Sequence, residues 1–435
     1  MATIRPFAGI RYALNPDVDF SGVIAPPYDV LDESGKAALQ AKHPNNIVNI
    51  DLPWLPPKTV GPDEAYLRAN MTLQAWLSAG ILKRDTRAAI YPYTQTFDHA
   101  GKTFHRRGLM ALVKLSPFGQ GQVVPHEKTY AAAIEDRLKL TRATNVQLSP
   151  IFGLFSDPRS EVTKTLYQNL GQPQLVGSIN GVRNQLWSVN DSETENKVID
   201  LLGNKPIYIA DGHHRYTMAL QHQEDAKAQN GGTLPPNHPA NFCMFVLVSM
   251  QDDGLLILPT HRMIGGLQHF ELEVFKRELG KNGTISDTPY WPSQITEFME
   301  NTLAKAPPNS FGLLDGATKK IHLVTITNLD VMKQIEPDHS DAWRKLDVAV
   351  LQSYLLDKII QKEFGPDKEI VKGYTADAKE AAQKTDGKQY QIAFLLRSTP
   401  LHALEELGKT KEVMPQKSTY FYPKLATGMV INPLK

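Results

Sequence analysis

Pro206-Ile207-Tyr208-Ile209-Ala210-Asp211-Gly212-His213-His214-Arg215-Tyr216-Thr217-Met218-Ala219-Leu220 is the stretch on which the fold turns. Its first five residues make a short apolar run of strand type. Beyond Gly212, the residues Tyr216, Ala219 and Leu220 recur at i, i+3 and i+4, the spacing of one helix face. Asp211 is expected to cap that helix and Gly212 to permit the tight turn. A strand that runs straight into a helix start leaves unpaired N–H groups pointing outward, and His213, His214 and Arg215 surround them with further donors. The expectation is an anion-binding cup for phosphate. The plain alternative is a capped helix with two solvated histidines. Neighbouring helical residues point about 100° apart, so the two histidines do not suit a shared metal.

Outward from this stretch, strands and helices are mixed without strict alternation. Hairpins are expected at Ala88–Phe97 with Thr103–Leu115, at Leu175–Ile179 with Val182–Val189 around Asn180-Gly181, and at Phe311–Leu314 with Ile321–Ile326 around Asp315-Gly316. Helical spacing covers Asp63–Ala79, Ala131–Ala143, Arg215–Ala228, Glu271–Leu279, Ser293–Lys305, Asp341–Glu363 and Thr375–Gln383. This predicts an α+β or mixed-sheet α/β fold rather than a barrel or a doubly wound sheet. A boundary is expected after the strand Leu255–Ile264. It gives an N-terminal α+β domain over 1–265 and a C-terminal α/β domain over 266–435, whose tail (414–424) returns to the site.

Three further segments carry candidate chemistry. In Pro125-His126-Glu127-Lys128-Thr129, Glu127 lies between two cationic neighbours that would keep a general base ionised. The bland reading is a solvated helix start favoured by the helix dipole. Leu258-Pro259-Thr260-His261-Arg262, ending a strand, and Met414 to Lys424, with Lys417, Ser418 and Lys424, combine cations with the hydroxyls that bind phosphate oxygens. Either could equally be a solvated face.

Composition narrows the classes. The chain has 435 residues, and 47 Lys+Arg against 46 Asp+Glu leave a net charge of +1, too little to draw it to nucleic acid or anionic membrane. No apolar run approaches the roughly 20 residues of a membrane helix. The one cysteine, Cys243, lies in the apolar run 242–248 and reads as a buried, inert thiol in a reducing cytoplasm. The phosphate loop G-x-x-x-x-G-K-[ST], the dinucleotide fingerprint G-x-G-x-x-G, the nucleophile elbow G-x-S-x-G and the H-E-x-x-H and C-x-x-C pairs do not occur.

Taken in order, Arg5-Pro6-Phe7, Pro26-Pro27-Tyr28-Asp29-Val30, His126-Glu127-Lys128-Thr129, Asp136-Arg137-Leu138, Ser149-Pro150-Ile151-Phe152, Ala210 to Tyr216, Gly254-Leu255 with Pro259-Thr260-His261-Arg262, Leu346-Asp347-Val348 and Met414 to Lys424 resemble one family. It is a bacterial and archaeal family of unknown function whose members are known as HHR-motif proteins. The Asp211–Arg215 turn also resembles the phosphate-binding box of the ParB and sulfiredoxin-like superfamily, which includes free serine kinases. The chain departs from the partition proteins of that group, which carry a Gly-Glu-Arg-Arg type box and a basic DNA-binding character.

The resemblance implies a cytoplasmic small-molecule phosphotransferase acting on serine or a similar hydroxylated metabolite. In that reading Asp211 caps the turn and is a candidate Mg²⁺ ligand, and Gly212, His213, His214 and Arg215 cradle the donor phosphates. His126, Lys128, His261, Arg262, Lys417, Ser418 and Lys424 hold or neutralise the phosphoryl group, and Glu127 orients or deprotonates the acceptor. The donor is ATP, ADP or pyrophosphate. The partner is then a small phosphorylated ligand, with no nucleic acid and no membrane. Rival readings are a non-catalytic nucleotide- or phosphometabolite-binding regulatory protein and a phosphoserine phosphatase.

Overall fold

The computed structural model describes residues 3–13, 19–203, 205–365 and 369–435. The chain forms two units, one of Met1–Pro125, Thr129–Leu256 and Pro423–Lys435, the other of His126–Lys128 and Ile257–Tyr422. The sequence reading places one cut at residue 265, whereas the chain changes unit at Pro125, Lys128, Leu256 and Tyr422.

The first unit is built on a nine-stranded mixed sheet. Its strands are β1 (Ile4–Arg5), β2 (Tyr91–His99), β3 (Lys102–Lys114), β4 (Val123–Val124), β5 (Ile151–Phe155), β6 (Leu175–Ile179), β7 (Val182–Leu186), β8 (Ile207–Asp211) and β9 (Phe242–Ser249). They lie in the order β4-β8-β5-β9-β3-β2-β7-β6, with β1 beside β3. The pairs β4/β8 and β5/β9 are parallel, and the other pairs are antiparallel. Two of the expected hairpins, β2/β3 and β6/β7, form here. Asn180 and Gly181 take φ of 50° and 76°, the left-handed pair that a two-residue turn of matching twist requires.

Three helices of this unit matter below: α1 (Asp63–Ser78), α2 (Ala131–Thr144) and α3 (His213–Gln229). The expected face of α3 is the buried one, because Tyr216 and Ala219 pack with Ile151, Ile207, Ile209 and Phe245 of the sheet. Met218, on an adjoining face, packs on Ile134 and Leu138 of α2. Gly153 in β5 lets its neighbours close in, since a Cβ there would stand 2.8–2.9 Å from Phe245, Ile207 and Leu247. Cys243 is buried in β9, and burial pushes its thiol up to about 12, so it is inert at neutral pH.

The second unit carries a six-stranded, wholly antiparallel sheet made of β10 (His261–Gly265), β11 (Gly283–Asp287), β12 (Ser310–Asp315), β13 (Ile321–Ile326), β14 (Val371–Thr375) and β15 (Ile392–Leu395), in the order β11-β13-β12-β15-β10-β14. Met263, Leu314, Ile321, Ala393 and Leu395 form its core with Ile295 and Phe298. Two sequence expectations are corrected here. Leu255–Ile264 is not one strand: Leu256–Leu258 and β10 belong to different sheets, separated at Pro259, which has no N–H to donate to a ladder. His261 and Arg262 therefore open a strand instead of ending one. Asp341–Glu363 is not one helix. It breaks at Leu346, which is extended at ψ 130°, and runs on through a π-helical stretch, Val350–Ile360.

Candidate functional site

The Asp211 turn is shaped by two backbone features. Ile209 pairs with Gly153 and Asp211 with Phe152, so β8 contains an extra residue just before its end, a bulge that re-aims the Asp211 side chain. Gly212 follows at φ +100° and is the residue that caps α3, with no side chain accepting from the helix start. The expectation that Asp211 caps α3 is therefore wrong, because its carboxylate is engaged elsewhere. Gly212 is favoured by its φ, and a Cβ there would stand 3.0 Å from the Arg215 guanidinium, which would have to shift slightly to admit it.

Asp211 is the centre of a cationic cluster. Its Oδ2 accepts from Arg215 Nη2 at 2.7 Å and its Oδ1 from Lys424 Nζ at 2.5 Å. Burial would raise its pKa, but the charges of Lys424 and Arg215, helped by His213, outweigh that and hold the carboxyl well below the usual range. Lys424 is placed by a buried polar network under its backbone. Arg106, 2% exposed, donates to Gln95 and to the Pro423 carbonyl, Gln95 Nε2 donates to the Lys424 carbonyl at 3.0 Å, and the Tyr93 hydroxyl accepts from Ala426 N. Burial lowers the Arg106 pKa to about 10 and Asp211 is among the groups that oppose this, so Arg106 stays charged and within the field of the carboxylate.

The two histidines have different surroundings. His213 is 4% exposed and contributes to the lowering of the Asp211 pKa after Lys424 and Arg215. His214 Nε2 accepts the backbone N–H of Tyr130 at 3.0 Å, and the two rings stack with centroids 5.8 Å apart and planes 9° apart. A ring nitrogen that accepts is unprotonated, so the phosphate-cradling role expected of His214 does not fit this nitrogen.

Arg215 is anchored from behind by the Pro150 carbonyl. Beside that anchor, Ser149 Oγ donates to Asp51 Oδ2 at 3.2 Å and meets Thr427 Oγ1 at 2.9 Å. Arg137, 4% exposed, donates to the Asp51 carbonyl at 2.6 Å and to Asp136 Oδ2 at 2.8 Å, and its guanidinium lies 3.9 Å from the Tyr28 ring centroid. Burial pushes the Asp51 carboxyl up, against the pull of Arg137 and Arg215. A cavity of about 30 Å³ among Asp51, Arg137, Ser149, Arg215, Met218 and Cys243 has room for one or two waters. The family-like segments around Tyr28, Asp136-Arg137, Ser149-Pro150 and Asp211–Arg215 thus join one buried network.

A family model described as "Protein of unknown function (DUF1015)" matches residues 4–349. The chain belongs to this family. No curated protein matches it. Among solved structures, a variant of free serine kinase in complex with AMP is similar, with 14% identity, 69% of this chain and 83% of that chain covered, and a TM-score of 0.35. A conserved hypothetical protein from Pyrococcus furiosus shows 15% identity, coverage of 70% and 89%, and a TM-score of 0.32. SbnI with a C-terminal truncation, from Staphylococcus aureus, shows 12% identity, coverage of 74% and 87%, and a TM-score of 0.35. The stretch matched to the DUF1015 family includes Asp51, Arg106, Arg137 and Asp211–Arg215, whereas Lys424 lies beyond it.

The remaining residues expected at the site lie in the second unit of this DUF1015 chain. His126 is buried, its Nε2 2.9 Å from Thr419 Oγ1 and its carbonyl accepting from Met414 N at 2.8 Å. Glu127 is half-buried and acts electrostatically on Arg262, while Lys128 and Lys417 are exposed. His261 and Arg262 are each 1% exposed. His261 Nδ1 accepts from Leu396 N at 3.1 Å, and Arg262 donates to the carbonyls of Thr260 at 2.7 Å and Gln416 at 3.2 Å. Ser418 is buried with its hydroxyl on the Pro415 carbonyl. The tail 414–424, expected to return to the site, is divided, residues 414–422 lying in the second unit and Pro423–Lys435 in the first.

Mg²⁺ on Asp211 does not fit this arrangement, because both carboxylate oxygens are taken by cations. Among the described residues no group of three or more His, Cys, Asp or Glu could hold a metal ion. No helix among them is long and apolar enough to cross a membrane. Sequence reasoning missed Arg106, Asp51 and Arg137 as parts of the site. Asp136-Arg137 was visible as a matching segment, but Arg106 in a strand and Asp51 at the end of the short helix Val48–Asp51 carry no local signal.

Proposed function

We propose that the Asp211–Arg215 turn binds the phosphates of a small ligand, and that the chain is a phosphotransferase acting on the hydroxyl of serine or a similar metabolite with ATP, ADP or pyrophosphate as donor. The observation that carries this reading is the charge arrangement. The ionised Asp211 carboxylate holds two cations, Arg215 and Lys424, an excess of one positive charge at the turn, within the field of Arg106, which Asp252 offsets in part. The excess lies at the start of a 17-residue helix without a side-chain cap, where the dipole adds to it. Phosphoryl transfer asks a protein for positioning and charge neutralisation, which fixed cations supply without reorganising. Asp211, held ionised, takes up no proton near neutrality. Its role is to hold Arg215 and Lys424 in place, with the Pro150 carbonyl fixing the far side of Arg215. The likeness of the turn to the ParB and sulfiredoxin-like phosphate box belongs to the same reading.

A second reading, a non-catalytic nucleotide- or phosphometabolite-binding protein, is favoured by one observation: the carboxylate at the turn is an anchor for cations and not a proton acceptor. Calorimetric titration with ATP, ADP and pyrophosphate, followed by phosphorus NMR with serine present, separates the two. Formation of phosphoserine supports the transferase, and stable binding without consumption supports the binding protein. Release of inorganic phosphate from phosphoserine without a donor would instead indicate a phosphatase. Binding of none of the three donors rejects the site. Lys424→Ala is expected to weaken binding about tenfold, the order of one charge-assisted contact.

A further inference from the structure

Tyr130 stands apart from the other aromatic residues near the turn, which are buried. Its side chain is 55% exposed, yet it is not loosely held. Its backbone N–H is donated to His214 Nε2 at 3.0 Å, and its ring lies parallel to the imidazole, 5.8 Å away. Tyr130 also caps α2, so its backbone is fixed at the start of a helix. His214 immediately precedes Arg215 on α3, a rise of about 1.5 Å along the helix. A flat, oriented and solvent-facing aromatic pair therefore sits less than one helical turn from the cationic cluster. The geometry points to a stacking platform: we propose that Tyr130, backed by His214, stacks on the base of a nucleotide whose phosphates lie against Arg215 and Lys424.

This rests on the phosphate-binding reading and deepens it. Inorganic pyrophosphate has no ring to stack, so the ligand class becomes a nucleoside di- or triphosphate. A ring face offers no hydrogen-bond code, so the platform holds adenine and guanine nucleotides alike, and purines more firmly than pyrimidines. His214 is a positioning residue here, acting through Tyr130, and Tyr130 is the group that touches ligand.

The test titrates the full chain and its Tyr130→Ala and Tyr130→Phe variants with ADP, with inorganic pyrophosphate and with fluorescent ethenoadenosine diphosphate. Tyr130→Ala is expected to weaken ADP about tenfold, the lower part of the range for one base on one aromatic ring, while pyrophosphate affinity stays within twofold. Tyr130→Phe keeps the stack and is expected to restore ADP affinity. Stacking quenches the ethenoadenine emission, and that quenching should vanish with Tyr130→Ala alone. Circular dichroism melts of both variants show whether the fold is kept. If Tyr130→Ala weakens pyrophosphate as much as ADP, or if ADP affinity and quenching survive the substitution, the platform is refuted while phosphate binding stands. If the unmodified chain binds neither ADP nor pyrophosphate, both readings fall together.

Discussion

Asp211-Gly212-His213-His214-Arg215 and Thr260-His261-Arg262 look alike as sequence: each joins a histidine to an arginine shortly after an apolar run. In the first, the arginine is met by a carboxylate that also holds a lysine, and the site keeps a surplus of positive charge. In the second, the arginine is buried against two backbone carbonyls and the face of Tyr374, 4.9 Å from its ring centroid, and the histidine accepts a backbone N–H. The lesson concerns partners. Arg262 has donors that end on carbonyls and is part of the scaffold, whereas Arg215, though anchored on the Pro150 carbonyl, also shares a carboxylate with Lys424, the partner that the proposed reading exchanges for another anion.

The contrast can be broken in several places. The largest effect is expected from Arg262→Ala, which strips two buried carbonyls of their donor and should destabilise the second unit by about 3 kcal/mol in urea unfolding. A variant as stable as the parent would mean that Arg262 is not scaffold. His261 provides a pH test. Burial first, and the neighbouring charge of Arg262 second, lower its pKa from 6.5 to about 4. Between those values the unfolded chain binds a proton that the folded chain refuses. Stability should therefore fall as pH drops through this window, by up to about 3 kcal/mol, and His261→Phe should flatten the slope. Asp211 behaves differently: its folded pKa lies below the unfolded 3.8, so its ion pairs keep full strength down to about pH 4 and weaken only under it.

Smaller effects sharpen the comparison on the side of the turn. Gly212→Ala should cost about 1–2 kcal/mol, because the residue sits at φ +100° and the added methyl meets the Arg215 guanidinium. Its ligand affinity should fall further than its stability. Lys424→Ala should change stability by under about 1 kcal/mol, since the pair is partly exposed and Asp211 keeps Arg215. Its weakening of pyrophosphate binding should shrink as salt is raised, a dependence that titrations at two ionic strengths would read directly.

What could be read from the chain alone follows from range. The strand, glycine and helix of 206–220 were legible because hydrophobic spacing changes within a few residues, and the turn at Asn180-Gly181 because only a few residue types accept its dihedrals. Leu255–Ile264 was misread because apolar residues on both sides of Pro259 look continuous, although they serve different sheets. Asp341–Glu363 was misread because helical spacing survives a local break. At the site, Arg215 was legible as a donor at a helix start and Lys424 as a cation near hydroxyls, but their meeting on Asp211 was not, since Lys424 lies 213 positions from its partner. The roles of Arg106, Asp51 and Arg137 depend wholly on such distant meetings.

The return of Pro423–Lys435 to the first unit has a consequence for the order of synthesis. Thr427 bridges to Ala25, Ile431 to Ile10, and Asn432-Pro433 pairs with Val146-Gln147. On the ribosome the Asp211 turn is made long before Lys424, and the intervening residues 257–422 must emerge first. Until then Asp211 has Arg215 alone, and the early segments at Ala25 and Ile10 lack their last bridges. A nascent chain arrested anywhere before residue 424 therefore carries the turn without its second cation.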